Sequence, residues 1–272
     1  MRVLVTGHRG FIGSWLLERI GDVDLLGIDR ADGNDICDAR LASTITRFDP
    51  ELVFHLAAEH MVPWCREHPQ ETWETNVVGT QRLLAALEVC HPRAIVLASS
   101  AAVYGYGSRP FSETSTATPV DVYGRSKAAA EAHLAKYSMD HPDVVCVAAR
   151  LANVVGSRDA NDHLWPKLAR AARGERIRVG NLTPLRDYIH ASDVANALVA
   201  LSWARAGYSV YNVATGVGTS VQELIEAFGL EVEQEAGRDN DGDLVLDPGL
   251  IEWDLAWQHR LSVADSIAEM TA

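Results

Sequence analysis

A short apolar run, Val3-Leu4-Val5-Thr6, breaks at once into Gly7, and Gly10 and Gly13 follow before an amphipathic stretch begins. A strand that leaves its sheet through so tight a turn and enters a helix directly commits the chain to strand–helix–strand crossovers, and so to a parallel sheet. The first half keeps to that constraint. Runs rich in Val, Leu and Ile at 2–6, 23–28, 51–56, 94–99 and 144–150 predict strands. The stretches near 11–20, 40–47, 70–90 and 122–139 predict the helices between them. Runs that are apolar throughout imply a sheet buried on both faces. Right-handed crossovers then give a doubly wound layout with a ligand at the strands' C-terminal edge.

Beyond residue 153 the rhythm changes. Asn161–Gly174 predicts a helix ending at glycine, and 177–179 a short basic strand. Residues 186–213 are expected to return to the main body through a helix at 192–205 and a strand at 208–213, with further helices near 220–228 and 248–256. No repeat or low-complexity linker intervenes. The expected division is a core over 1–153 and a smaller, interleaved C-terminal lobe over 154–272, in a chain of 272 residues that is long enough to bury both.

A net charge of −13 argues against nucleic acid and anionic membranes as partners, and is ordinary for a soluble cytoplasmic protein. Cys37, Cys65, Cys90 and Cys146 lie far apart with no CxxC spacing, so neither zinc nor a disulfide framework is expected and reduced thiols in the cytoplasm are the default. Glu59, Cys65 and His68 are close in sequence but lack the spacing of a closed metal-ligand set. The N-terminus already reads as a strand, and no apolar run approaches the ~20 residues that span a bilayer.

The glycine turn is the first functional feature. Gly7 permits the tight turn, Gly10 lets backbone approach a pyrophosphate, Gly13 lets helix pack on strand, and the free N–H groups at the helix start face the anion. Asp29, closing the second strand, is placed to accept hydrogen bonds from ribose hydroxyls and to repel a 2′-phosphate, which favours NAD. Arg30 complicates that preference, because an arginine beside the ribose can host the phosphate. The second feature moves a proton. Tyr123 and Lys127 stand four apart and share a helix face, and Ser100 ends the fourth strand. A neighbouring ammonium and a cationic nicotinamide both lower a tyrosine pKa toward useful values.

The landmarks TGHRGFIG, Asp29, Asp35-Ile36, HLAA at 55–58, Asn76-Val-Val-Gly-Thr, SSAAVYG at 99–105, YGRSK at 123–127, RLANVVG at 150–156, RDYIHASDVA at 186–195 and YNVATG at 211–216 follow in order. The sequence resembles the extended short-chain dehydrogenase/reductases, the branch that includes nucleotide-sugar epimerases and dehydratases. The resemblance implies an α/β, doubly wound Rossmann sheet with a substrate-binding lobe, NAD as cofactor, a nucleotide-diphosphate sugar as substrate, and a homodimer formed by the helices near 70–90 and 122–139. It places Gly7, Gly10, Phe11, Ile12, Gly13, Asp29, Arg30, Asp35 and Ile36 on the cofactor, with Leu56, Ala57, Ala58, Asn76 and Ser99 joining Tyr123 and Lys127 toward its other end. His60, Ser100, Ala101, Asn153, Arg186 and Arg238 fall to the substrate. Arg186 opens RDYIH, where the family binds the diphosphate, or else serves a structural salt bridge with Asp187.

The same resemblance prunes the chemistry. Sugar 4,6-dehydratases carry an Asp–Glu pair after the Ser or Thr that precedes VYG, whereas this chain has Ala101 and Ala102, which transfer no proton. Epimerisation at C4 through a transient ketone is the leading expectation. Reduction of an NDP-4-ketosugar by NAD(P)H is the alternative. A non-catalytic dinucleotide sensor is the third, disfavoured by the intact Ser100, Tyr123 and Lys127. The chain is shorter than is usual for the family, and Val155 and Ser157 depart from its usual aromatic and proline.

Overall fold

Strands that are apolar from end to end bury themselves in the middle of the molecule, and their order fixes where a ligand enters. The structure, a computed structural model, describes residues 1–38, 40–108, 110–234 and 242–271. Its strands are β1 (Arg2–Thr6), β2 (Asp24–Ile28), β3 (Leu52–His55), β4 (Ala94–Ser100), β5 (Val145–Leu151), β6 (Asn153–Val155), β7 (Arg178–Val179), β8 (Arg186–His190), β9 (Gly207–Val213), β10 (Gly218–Thr219) and β11 (Glu233–Gln234). The helices are α1 (Phe11–Ile20), α2 (Leu41–Phe48), α3 (Val62–Glu67), α4 (Pro69–Trp73), α5 (Gly79–Leu87), α6 (Val122–Asp140), α7 (Leu164–Ala171), α8 (Ala191–Leu201), α9 (Val221–Ala227), α10 (Gly249–Leu255) and α11 (Val263–Thr271).

The main sheet is six-stranded and parallel throughout, in the order β2-β1-β3-β4-β5-β9. Alternate side chains of each strand serve opposite faces. Val3, Val5, Phe54, Val96 and Val147 pack with Leu16 of α1 and Ala197 and Leu198 of α8. Leu4, Val53, Ile95 and Cys146 pack with Ile45 of α2, Leu83 of α5 and Leu134 of α6. The chain runs from β1 outward to β2 and then crosses to β3 on the other side of β1, so the loops after β1 and β3 diverge. That divergence is the switch point at which doubly wound sheets hold their ligands.

The smaller lobe has its own core of Trp165, Leu168, Tyr188, Leu224 and Met270, beneath a sheet of order β10-β8-β6 and the pair β11-β7. The segment 186–213 supplies β8 to that sheet, α8 to the flank of the main sheet and β9 to its edge.

The single helix expected near 70–90 is instead a broken series. The backbone opens at His68 (φ −124°), Pro69 starts α4, and a π turn over Glu74–Val78 joins it to α5. Proline has no N–H to donate and sits well only at a helix start, which is where it is found. Helix α3, helix α11 and strands β6 and β8 were not anticipated from the pattern of apolar residues, and all four border the cleft or the smaller lobe.

Candidate active site

The glycine turn sits at the switch point. Gly7 has φ +73°, and a Cβ there would lie 2.8 Å from the backbone nitrogen of Ala57, so both its conformation and its closeness to the loop after β3 require glycine. Helix α1 begins with Gly10 as N-cap and no side-chain cap, leaving its first-turn N–H groups for an anion. The carboxylate of Asp29 accepts from the Arg9 and Ala31 backbone nitrogens, one to each oxygen, both at 3.0 Å, and keeps lone pairs for further donors. A cleft of about 980 Å³ runs from this turn to the smaller lobe. These features fit a dinucleotide.

Beneath the turn, Thr6 and His55 tie β1 to β3. The Thr6 hydroxyl is 2.7 Å from His55 Nδ1 and accepts from the Ala57 nitrogen, while His55 Nε2 is 2.9 Å from the Thr80 hydroxyl. Burial pushes His55 down to about 3, so it is neutral and structural at pH 7. Thus the histidine of HLAA holds the floor of the site.

Ser100, Tyr123 and Lys127, the residues expected to move a proton, meet where β4 ends and α6 begins. Asp121 caps α6 by accepting from Gly124 N at 2.8 Å. A Cβ on Gly124 would lie 2.4 Å from the carbonyl oxygen of Ala102, so glycine lets the helix press against the turn that follows Ser100. Tyr123 faces the cleft with Ser100, and Lys127, one turn on, is buried and donates to the Ala98 carbonyl at 2.8 Å. Burial pushes Tyr123 up to about 12, with a hydrogen bond to Ser100 opposing it. Burial likewise lowers Lys127 to about 8, against the supporting charge of Glu131. The downward shift expected for the tyrosine is therefore not found here, because desolvation dominates.

Behind this group lies a buried polar chain that sequence patterns do not reveal. Ser99 Oγ donates to Glu131 at 2.5 Å, Glu131 takes Arg150 Nε and Nη2 at 3.0 and 2.7 Å, and the Arg150 guanidinium stacks 4.6 Å from the Tyr104 ring centroid. Ser99 still lines the cleft through its other atoms.

All but two of the anticipated residues line this one cleft: Gly7, Gly10, Phe11, Ile12, Gly13, Asp29, Arg30, Asp35, Ile36, Leu56, Ala57, Ala58, His60, Ser99, Ser100, Ala101, Tyr123, Lys127, Asn153 and Arg186. Asn76 does not reach its wall. It is buried, its Oδ1 accepts from Glu59 N at 2.7 Å, and its amide donates to Glu59 O and to Ser126 Oγ, each at 2.9 Å, so its polar atoms are committed to holding that loop. Arg238 lies outside the described residues.

Arg186 donates to the Leu185 and Gly242 carbonyls and lies 5.1 Å over Tyr106, whereas its neighbour Asp187 points into the protein and accepts from Thr215 and Gly216. Strand alternation places the two on opposite faces of β8. Cys65 is buried and His68 stacks on Trp64 at 4.4 Å.

The smaller lobe contributes a further cleft residue, His163, and a polar tie from its last helix. His163, the N-cap of α7, has Nδ1 3.0 Å from Asp159 and its ring edge-on to His60 at 5.5 Å between centroids. Burial, the His163 ring and Lys127 all hold His60 below its ordinary value, which leaves it neutral at pH 7. From α11, Glu269 reaches His190 Nε2 at 2.5 Å and also accepts from Ser157, tying the last helix to the floor beside Gly156. A histidine in a polar loop and a glutamate near the end of a chain carry no pattern of their own, and only the fold brings them here.

A parallel sheet with a glycine turn at its switch point, and a Ser, Tyr and Lys gathered at the end of β4 and the start of α6, define an extended short-chain dehydrogenase/reductase. A family model for the NAD dependent epimerase/dehydratase family matches residues 3–214, and the chain belongs to that family. It is 33% identical to a UDP-glucose 4-epimerase of Mycolicibacterium smegmatis over an alignment of 306 positions, covering 99% of this chain and 97% of the relative. That alignment is longer than the chain, so the relative carries insertions that this chain lacks.

Among solved structures, a UDP-glucose 4-epimerase from Brucella ovis in complex with NAD is 31% identical with a TM-score of 0.87, covering 98% of this chain and 95% of that one. A UDP-glucose 4-epimerase from Thermotoga maritima with UDP-glucose is 25% identical with a TM-score of 0.91, covering 100% and 97%.

Proposed function

We propose that Tyr123 is the acid–base residue of an NAD-dependent nucleotide-sugar 4-epimerase, with Lys127 and Ser100 as its partners and a UDP-hexose as substrate. The observation that carries this reading is the meeting of Ser100, Tyr123 and Lys127 on one wall of the cleft, beside Ala101 and Ala102 where an elimination would need an acid and a base. NAD, when bound, would supply the hydride acceptor and donor for C4. Tyr123 takes the proton from the C4 hydroxyl and gives it back once the 4-keto sugar has turned its other face. Ser100 holds the same oxygen by a hydrogen bond. The Lys127 ammonium stabilises the phenolate that forms each cycle.

Gly7, Gly10, Phe11, Ile12 and Gly13 would hold the pyrophosphate, Asp29 the adenosine ribose, and Asp35 and Ile36 the adenine side, while Ala57 and Ala58 face the nicotinamide. On the substrate side, Arg186 would serve the diphosphate, and His60, Ala101 and Asn153 the sugar. Residues 1–153 would then carry the cofactor and 154–272 most of the substrate contacts. Outward-facing Ala85 of α5, Val89 just beyond its end and Ala132 of α6 support a homodimer built on those two helices, which sedimentation velocity would detect. Free cysteines support a cytoplasmic protein. Among the described residues no helix is long and apolar enough to cross a membrane.

The test begins with denaturing the purified protein and identifying released nucleotides by mass spectrometry. Incubation with UDP-glucose or UDP-galactose follows, without added cofactor. Retained NAD and interconversion of the two sugars are expected. Tyr123→Phe should lower turnover on the order of 10² to 10⁴-fold while NAD stays bound. Activity only with added NAD(P)H and a 4-ketosugar would move the assignment to a reductase, and unchanged turnover in the phenylalanine variant would remove Tyr123 as the base.

A further inference from the structure

The adenosine end of the cleft contains two arginines, and each is held by a carboxylate. Arg9 places Nε and Nη2 on Asp32 at 3.1 and 2.7 Å. Arg30, the residue after Asp29, reaches across the crevice from the β2 loop to the β3 loop and donates through Nη2 to Glu59. Glu59 is itself fixed. Its backbone N–H and C=O are both gripped by the buried Asn76, whose amide is anchored in turn to Ser126 of α6. The Glu59 carboxylate is thus preorganised, with its side chain only 17% exposed, whereas the Arg30 side chain is 55% exposed and would otherwise be free to swing toward a ligand. The ion pair matters here for what it forbids more than for its small contribution to stability.

We propose that Glu59 is a specificity-determining residue that keeps the site selective for NAD by sequestering Arg30. The inference rests on the cofactor assignment above. An arginine beside Asp29 is the group that would accept a 2′-phosphate by bidentate, charge-assisted hydrogen bonds. To do so here, Arg30 would have to leave Glu59, and the incoming dianion would then stand near two uncompensated carboxylates, Asp29 and Glu59. A 2′-hydroxyl makes no such demand: it donates to Asp29 and leaves the pair in place. Discrimination therefore comes from a repulsive arrangement set against the wrong ligand as much as from attraction to the right one. Asn76, which does not touch the cleft, acts through Glu59 as a positioning residue.

The experiment is native mass spectrometry of the purified full chain equilibrated with equal excesses of NAD and NADP, reading the ratio of the two bound forms without reference to activity. The wild-type protein should carry NAD almost exclusively. Glu59→Gln, close in shape and uncharged, should raise the bound NADP:NAD ratio at least tenfold, and Glu59→Ala should do the same if the glutamine variant expresses poorly. Adding Arg30→Ala to Glu59→Gln should return the ratio toward wild type, because the gain depends on a released guanidinium. An unchanged ratio in both Glu59 variants, or a gain that survives Arg30→Ala, overturns the proposal. A wild-type protein that binds neither nucleotide would instead overturn the cofactor assignment, and is told apart by that single measurement.

Discussion

Replacing Glu131 by glutamine should destabilise the protein severely. Glu131 and Arg150 are 5% and 7% exposed, and the carboxylate accepts three hydrogen bonds, two from Arg150 and one from Ser99. Burial works against the Arg150 charge, and the hydrogen bond and charge of Glu131 overcome it. Arg150 Nη1 has no hydrogen-bond partner among the described residues, so once the carboxylate goes the guanidinium keeps only its contact with Tyr104. Removing one member of a buried pair strands the other, at about 3–5 kcal/mol. In a chain of this size that corresponds to a fall in Tm on the order of 10 °C.

Urea unfolding followed by circular dichroism measures the loss, with an unchanged m-value showing that both states keep their compactness. The double variant Glu131→Leu/Arg150→Met should recover most of it, because apolar replacement of a whole buried pair is often neutral. Activity supplies a second readout. Glu131 also supports the Lys127 charge, so its removal should move the basic limb of the kcat profile to lower pH. A loss below about 1 kcal/mol for Glu131→Gln would refute the argument that this pair is a desolvated charge in need of its partner.

Three further outcomes are expected. Gly124→Ala introduces a Cβ 2.4 Å from the Ala102 carbonyl oxygen, so α6 must move off the turn after Ser100; kcat should drop at least tenfold while NAD retention, read by mass spectrometry, persists. Lys127 binds its proton less tightly in the folded protein (about 8) than in the unfolded chain (10.5), so unfolding takes up a proton in that window and stability from this residue rises with pH. Urea titrations of the wild type and Lys127→Met between pH 8 and 10 should show their difference shifting in favour of the wild type as pH rises, and a flat difference would contradict the burial argument. His163→Ala removes the ring that Asp159 orients against His60, and should raise KM for the UDP-hexose several-fold with NAD retention intact; an unchanged KM would place the pair away from the sugar.

The glycine turn was legible because its demands are local. A strand, a turn of positive φ at Gly7 and a helix start follow one another within a dozen residues, so glycine spacing and apolar runs carry the information directly. Tyr123 and Lys127 are likewise neighbours on one helix face. The chain between 62 and 87 was less legible, because Pro69 and the π turn break a pattern whose apolar residues alone suit one long helix. Asn76 shows the limit of a motif: its place in the order of landmarks is right, but whether its amide faces the cleft or grips Glu59 is settled by side-chain packing.

What the sequence determined by itself, then, is the parallel α/β order, the glycine turn and the placing of Tyr123 and Lys127 on one helix face, since each depends on periodicity or on residues a few positions apart. Only the tertiary structure decided which polar and ionisable side chains meet. Arg30 with Glu59, Glu131 with Arg150, His163 with His60 and Glu269 with His190 are separated by 19 to 103 positions. Pairs of that kind leave no period in the chain, because their geometry is imposed by the crossovers that stack one loop against another. The loop beside Asp29, the surroundings of Lys127 and the cleft wall at His60 all rest on such pairs, and so were fixed by the fold.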